Sequence, residues 1–140
     1  MCGIVGYIGS SNAIDIILNG LETLEYRGYD SSGIAFLENN KIDVVKTVGR
    51  ISNLREKLER EYKEKISKIG VGHTRWATHG EPSSTNAHPH YSESKNLAII
   101  HNGIIENYAE IKKKLQGKGV HFISDTDTEV LVQLVEYIQT

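Results

Sequence analysis

Two apolar segments, Ile34 to Leu37 and Ile42 to Val48, flank the short polar stretch Glu38-Asn39-Asn40-Lys41. That arrangement predicts a β-hairpin, and so commits part of the chain to antiparallel pairing. Further short apolar runs predict strands over Cys2 to Ile8, Ile69 to His73, Leu97 to His101 and Val120 to Ile123. Helical spacing appears between them. Ser11 is placed to cap a helix whose apolar face is Ala13, Ile14, Ile17, Leu18, Leu21 and Leu24, ending near Gly28. Ile51, Leu54, Leu58 and Tyr62 mark a second helix with a charged, solvated remainder. Tyr108, Ile111 and Leu115 mark a third that stops around Gly117 to Gly119. Thr126-x-x-Glu129 has the form of a capping box, opening a helix with Val130, Leu131, Leu134, Val135 and Ile138 on one face. Strands and helices mixed in this way, with a hairpin among them, predict the α+β class.

Between the strand near His73 and that near Leu97, residues Thr74 to His90 lack periodicity and are rich in Thr, Ser, Gly, Pro, Asn and His. A loop of this length inside a compact domain is usually functional or disordered. The last helix shows no C-cap before Thr140, so the expectation is a chain that stops within an element. With 140 residues, one domain with a real core is expected. A hydrophobic share of 39% against 24% charged argues against disorder. The formal net charge of −2 gives no basic footprint for nucleic acid. No apolar run approaches the ~20 residues of a membrane span, and no secretory signal opens the chain. The single cysteine has no internal partner for a disulfide. The expected location is therefore cytoplasmic.

That cysteine is residue 2. Removal of Met1 would leave a thiol and a free α-amine on one residue, with reference pKa values of about 8.5 and 7.7 to 8.0. The amine can then act as base for the thiol, a device described for N-terminal nucleophiles and worth ~10²- to 10⁴-fold. By position alone the plainer reading is stronger: a small hydrophobe opening a strand. Arg75, in His73-Thr74-Arg75-Trp76-Ala77-Thr78-His79-Gly80, offers a planar fork for a carboxylate; equally, it can stack on Trp76. Asn102-Gly103 supplies a side-chain amide beside an unobstructed N–H, as an oxyanion hole requires, yet Asn-Gly is also a common turn. The acidic residues of Asp125-Thr126-Asp127-Thr128-Glu129 suit a helix start and equally a substrate ammonium. Five of the six histidines fall between His73 and His101. A zinc site from His79, His88 and His90 matches no established ligand spacing, so these read as hydrogen-bonding residues.

Six segments occur together in one order: Cys2-Gly3-Ile4-Val5-Gly6, Tyr26-Arg27-Gly28-Tyr29-Asp30-Ser31, His73 to Gly80, Asn86-Ala87-His88-Pro89-His90, His101 to Asn107 and Thr126-Asp127-Thr128-Glu129. In this the chain resembles the class II glutamine amidotransferases. Within them it is most similar to the N-terminal glutaminase domain of the glutamine–fructose-6-phosphate aminotransferase (isomerizing) family, the glucosamine-6-phosphate synthases. The resemblance implies an N-terminal-nucleophile hydrolase fold, a four-layer αββα sandwich, over residues 1–140. That family's glutaminase domain is longer, and its sugar-isomerase domains have no counterpart here, so an incomplete sandwich is expected. It also implies Cys2 as nucleophile with its α-amine as base, and Asn102 with the Gly103 N–H as oxyanion hole. Arg75 would clamp the α-carboxylate of L-glutamine and Asp127 would take its α-ammonium. Thr78 and His79 would line the glutamine loop, His88 would lie close by, Trp76 would shield the site and Arg27 would sit near the nucleophile.

No cofactor and no metal are implied. The expected activity is hydrolysis of glutamine to glutamate and ammonia through a Cys2 thioester. In the full family enzyme, a homo-oligomer, the ammonia goes to a sugar phosphate acceptor, fructose 6-phosphate. Three alternatives stand beside this: a catalytically silent glutamine-binding or regulatory domain, another class II amidotransferase, and a zinc-dependent hydrolase built on the histidine loop. Retention of Met1 would turn the α-amine into an amide and silence the site.

Overall fold

The structure, a computed structural model, describes residues 3–25, 30–63, 65–76 and 83–139. The expected hairpin is its centre. Strand β2 (Ser31–Glu38) pairs antiparallel with β3 (Lys41–Val48), with Glu38 opposite Lys41. Asn39 and Asn40 form the turn with φ of 49° and 63°. Positive φ at both central residues matches the right-handed twist of the strands, and asparagine accepts it at little strain. Strand β4 (Ile69–Arg75) joins the other edge of β2, and β1 (Gly3–Ile8) pairs with β4. The result is a four-stranded antiparallel sheet in the order β1-β4-β2-β3.

Helices α1 (Ala13–Leu24) and α2 (Ile51–Glu61) cover one face of this sheet. Ala13, Ile14, Ile17, Leu18 and Leu21 of α1 meet Ile34, Phe36 and Val45 of the hairpin and Ile51, Leu54 and Leu58 of α2. Each Ile, Leu, Val or Phe side chain among them, once buried, contributes about 1.5–3 kcal/mol. Gly72 permits the close approach of α1, since a Cβ there would lie 2.3 Å from Ile17 Cγ2. The cap of α1 is Asn12, not the expected Ser11. Asn12 Oδ1 accepts from the N–H groups of Ile14 (3.3 Å) and Ser67 (3.1 Å), so a contact to the chain approaching β4 chose the cap. The helix ends at Leu24; Gly28, where the stop was expected, lies outside the described residues.

A smaller sheet, β5 (His90–Tyr91) with β6 (Ala98–Ile99), lies toward the other face. The Tyr91 hydroxyl ties it down by donating to the Ile42 carbonyl. Helix α3 (Tyr108–Gly117) packs on α4 (Asp127–Gln139), and α4 on β5. The predicted strand at Leu97 to His101 contracts to β6. Val120 to Ile123 is not a strand: its His121 and Ile123 N–H groups donate to the carboxylates of Glu93 (3.3 Å) and Glu129 (3.0 Å) instead of to a ladder. The face of α4 also differs from the expectation. Val130 is buried, but so are Asp127, Thr128, Glu129, Val132 and Gln133, whereas Ile138 is 72% exposed. The polar groups turn inward because they have partners there. Glu129 Oε1 accepts from Ser124 N and Ser124 Oγ, both at 2.6 Å, and Gln133 Oε1 accepts from Glu93 N at 3.0 Å. Half of the capping box forms: Thr126 Oγ1 accepts from Glu129 N (3.4 Å), while the Glu129 carboxylate serves Ile123 and Ser124. Among the described residues no helix is long and apolar enough to cross a membrane.

Candidate active site

Alternation along β4 separates two roles. Gly70, Gly72 and Thr74 face α1; Val71, His73 and Arg75 face the other way, with His73 and Arg75 both buried. At this end of the strand Gly3 N donates to Thr74 Oγ1 (3.1 Å), so the start of β1 lies beside the Thr74-Arg75 step. Arg75 Nη1 stands 3.9 Å from Asp30 Oδ1, which also accepts from Ser31 Oγ at 2.8 Å. The buried guanidinium presents a planar fork of donors at this end of the sheet.

Against the same face lies a stack of buried histidines. The rings of His73 and His88 are parallel within 12° at 3.9 Å between centroids, and His90 meets His88 edge to face at 4.7 Å. Gly33 makes room for this arrangement, because a Cβ on it would fall 2.0 Å from the His88 carbonyl oxygen. Lys46 anchors the loop leading into the stack by donating to the carbonyls of Ala87 (2.8 Å) and Thr85 (3.4 Å). Burial, with Arg75 adding repulsion, brings the Lys46 ammonium down to about 8. Burial likewise holds His73 down at about 4, and drives His88 and His90 well below the ordinary imidazole range; the charges of Arg75 and of neighbouring basic groups add to this. All three rings are neutral at physiological pH.

The stack connects to the segment that carries Asn102-Gly103. His73 Nε2 lies 2.9 Å from the His101 carbonyl oxygen, and since a carbonyl only accepts, Nε2 carries the proton. The His101 ring meets the Thr128 hydroxyl at 3.3 Å through Nδ1. Beyond Gly103, Ile105 N donates to Asp127 Oδ2 at 2.8 Å. His90 is fixed through Nε2 to Thr126 Oγ1 at 2.8 Å. Thus the start of α4 and the end of β4 grip the two ends of a short exposed segment, residues 102–104.

Of the residues singled out from the sequence, Arg75 is buried two residues after His73, His88 stacks on that ring, Asn102-Gly103 follows the His101 carbonyl that His73 holds, and Asp127 accepts from Ile105 N. Trp76 follows Arg75 and is 53% exposed. Cys2, Arg27, Thr78 and His79 lie outside the described residues. The sequence gives no site role to His73, His101, Thr128 or Lys46, and offers His90 only as a zinc ligand or hydrogen-bonding residue and Thr126 only as a helix cap, yet these six hold the others in place. The crowding of histidines between His73 and His101 was the available signal. Of the three loop histidines read as hydrogen-bonding residues, His90 meets Thr126 Oγ1, His79 lies outside the described residues, and the buried His88 Nδ1 has no hydrogen-bond partner among the described residues, its ring being held by stacking that was not legible in the sequence. Among the described residues no group of three or more His, Cys, Asp or Glu side chains is placed to hold a metal ion. A cleft of about 410 Å³ between α1 and α2, bordered by Leu18, Arg55 and Leu58, lies across the sheet and contains none of the candidate residues.

Residues 59–139 match a family described as a glutamine amidotransferase domain. The chain belongs to that family. Over 137 residues it is 60% identical to the glutamine–fructose-6-phosphate aminotransferase (isomerizing) of Caldanaerobacter subterraneus subsp. tengcongensis, a match covering 98% of this chain and 22% of the relative. It is 59% identical over 140 residues to the enzyme of that name from Bacteroides thetaiotaomicron, covering 99% and 22% respectively. This amidotransferase chain therefore spans about a fifth of the length of the curated relatives it matches. Among solved structures it resembles the glutamine phosphoribosylpyrophosphate amidotransferase from B. subtilis in complex with ADP and GMP. The TM-score is 0.81 at 29% identity, over 97% of this chain and 29% of that one. A structure described as the allosteric regulatory enzyme of purine biosynthesis gives 0.82 at 30% identity, with the same coverage. The mixed α/β fold is that of a class II, N-terminal-nucleophile amidotransferase.

Proposed function

We propose that this chain is a glutaminase module that hydrolyses L-glutamine to glutamate and ammonia through a thioester on Cys2. The observation that supports the reading is that the Asn102-Gly103 segment is held on one side by His73, two residues before buried Arg75, and on the other by buried Asp127 through Ile105 N. The register Gly3↔Thr74 and Ile4↔His73 sets the start of β1 beside the end of β4 that carries Arg75. A nucleophile at position 2 would meet its substrate there.

In this reading Arg75 pairs with the substrate α-carboxylate and Asp127 with its α-ammonium, which sets the carboxamide toward Cys2. With Met1 removed, the α-amine accepts the thiol proton. The thiolate sulfur adds to the carboxamide carbon, and the charge that develops on oxygen is met by the Asn102 amide and the Gly103 N–H. The proton passes to the amide nitrogen, the C–N bond breaks and ammonia leaves. Water, deprotonated by the same amine, then adds to the γ-glutamyl thioester, and the C–S bond breaks to give glutamate and the free thiol. Thr78, His79 and Arg27 line the substrate pocket, His88 supports it from below, and Trp76 covers it. We further infer that the whole chain forms one amidotransferase domain within a four-layer αββα sandwich. The ammonia is destined for a sugar phosphate, fructose 6-phosphate, held by isomerase domains of a homo-oligomeric enzyme. The names of the relatives and their identity to this chain support that destination.

The test is glutamate release by the Met-free protein and its Cys2→Ala variant. Release by the parent, its loss in a variant with an unchanged circular dichroism spectrum, and protection by a cysteine-directed glutamine analogue are expected. Equal release by the folded variant would remove Cys2 from the chemistry.

A further inference from the structure

Residues 102–104 are exposed, yet an oxyanion hole works only if its donors are fixed before the charge develops. Ile105 is held by Asp127 on the C-terminal side, so the question is what fixes the N-terminal side. There the carbonyl of His101, one peptide before Asn102, accepts from His73 Nε2 at 2.9 Å. His73 is fully buried in a strand paired on both edges, and its ring cannot swing because it lies flat on His88. Nothing else in the chemistry proposed above uses this imidazole.

We propose that His73 is a positioning residue, which orients the Asn102-Gly103 donors by holding the His101 carbonyl and does not touch the substrate. This rests on the glutaminase reading. The Nε2–H tautomer is required, since only it can donate to the carbonyl. That leaves His73 Nδ1 as a bare nitrogen with no partner among the described residues. Deep burial keeps the ring neutral near pH 7, which preserves this single donor. The Thr128 hydroxyl, meeting the other end of the His101 residue, prevents that peptide from turning about its own side chain. Because the donors act on charge present only in the transition state, loosening them affects turnover and spares substrate binding.

Two substitutions in the full, Met-free chain separate the possibilities. His73→Phe keeps a flat ring for His88 and deletes the donor; His73→Gln keeps an N–H in reach of the carbonyl. For His73→Phe, kcat for glutamate release is expected to fall roughly 10- to 100-fold with KM within about twofold. His73→Gln is expected to recover most of that loss. Amide hydrogen exchange at Gly103 and Ile104 is expected to quicken in the Phe variant and not in the Gln variant. An unchanged kcat and unchanged exchange in a folded Phe variant would overturn the proposal, as would a rise in KM at constant kcat. Nitrogen NMR of the parent's imidazoles supplies an arm independent of any variant: the His73 proton should sit on Nε2, and a proton on Nδ1 overturns the assignment. Should the parent release no glutamate, the glutaminase reading falls alone, because exchange and tautomer still decide whether the clamp exists.

Discussion

Replacing Gly33 by alanine adds one methyl group at the place where the hairpin touches the histidine loop. That carbon would sit 2.0 Å from the His88 carbonyl oxygen and 3.0 Å from Pro89 Cδ. Ordinary non-bonded contact needs ~3.5 Å, so the loop must retreat by more than about 1 Å. The obstacle is backbone, which has no rotamer to yield. Retreat would also open the His73–His88 stack, now at 3.9 Å. Overpacking of this kind typically costs 1–3 kcal/mol, offset by about 0.5–1 kcal/mol because alanine suits a strand better than glycine. The net expectation is a loss of about 1–2 kcal/mol, visible as a urea midpoint lowered by roughly 0.5–1 M. Far-UV circular dichroism in urea measures it. Gly6→Ala is the control: the nearest atom to its new methyl is Val71 Cγ1 at 3.9 Å, so its midpoint should stay at or slightly above that of the parent. Equal midpoints for Gly33→Ala and the parent would show that the contact between β2 and the His88–Pro89 peptide does not have the geometry described.

The buried histidines make stability depend on pH. His73, at about 4 in the folded chain against 6.5 as reference, stays neutral when folded but takes a proton when unfolded. Its contribution is therefore complete above about pH 6.5 and is lost as pH falls toward 4, at up to ~1.4 kcal/mol per pH unit, with His88 and His90 acting in the same direction. Urea unfolding at pH 7, 6 and 5 checks this, and a flat profile would contradict the stack. Asp127→Asn keeps an oxygen for the Ile105 N–H, so it should raise KM for glutamine at least about tenfold with little change in thermal midpoint. Asp127→Ala removes that acceptor as well and should cost a further ~1–3 kcal/mol in denaturation. If the Asn variant binds glutamine as the parent does, Asp127 serves the fold alone.

The sequence alone carried the local decisions. The hairpin, its two-asparagine turn, and helices α1, α2 and α3 follow from patterns of apolar spacing and turn chemistry that act over a few residues. So did the order of the segments bearing Arg75, Asn102 and Asp127, because residue type is a direct statement of chemistry. Tertiary contacts settled the rest. Asn12 and not Ser11 caps α1 because Ser67 lies beside it, and Val120 to Ile123 fails to become a strand because Glu93 and Glu129 take up its N–H groups. Helix α4 turns Glu129 and Gln133 inward for partners distant or absent in any periodicity, and leaves Ile138 outside. The histidine stack has the same origin. Burying three imidazoles is favourable only where a strand face, a glycine at position 33, the His101 carbonyl and the Thr126 hydroxyl meet, and that meeting is a property of the folded chain and of no single segment.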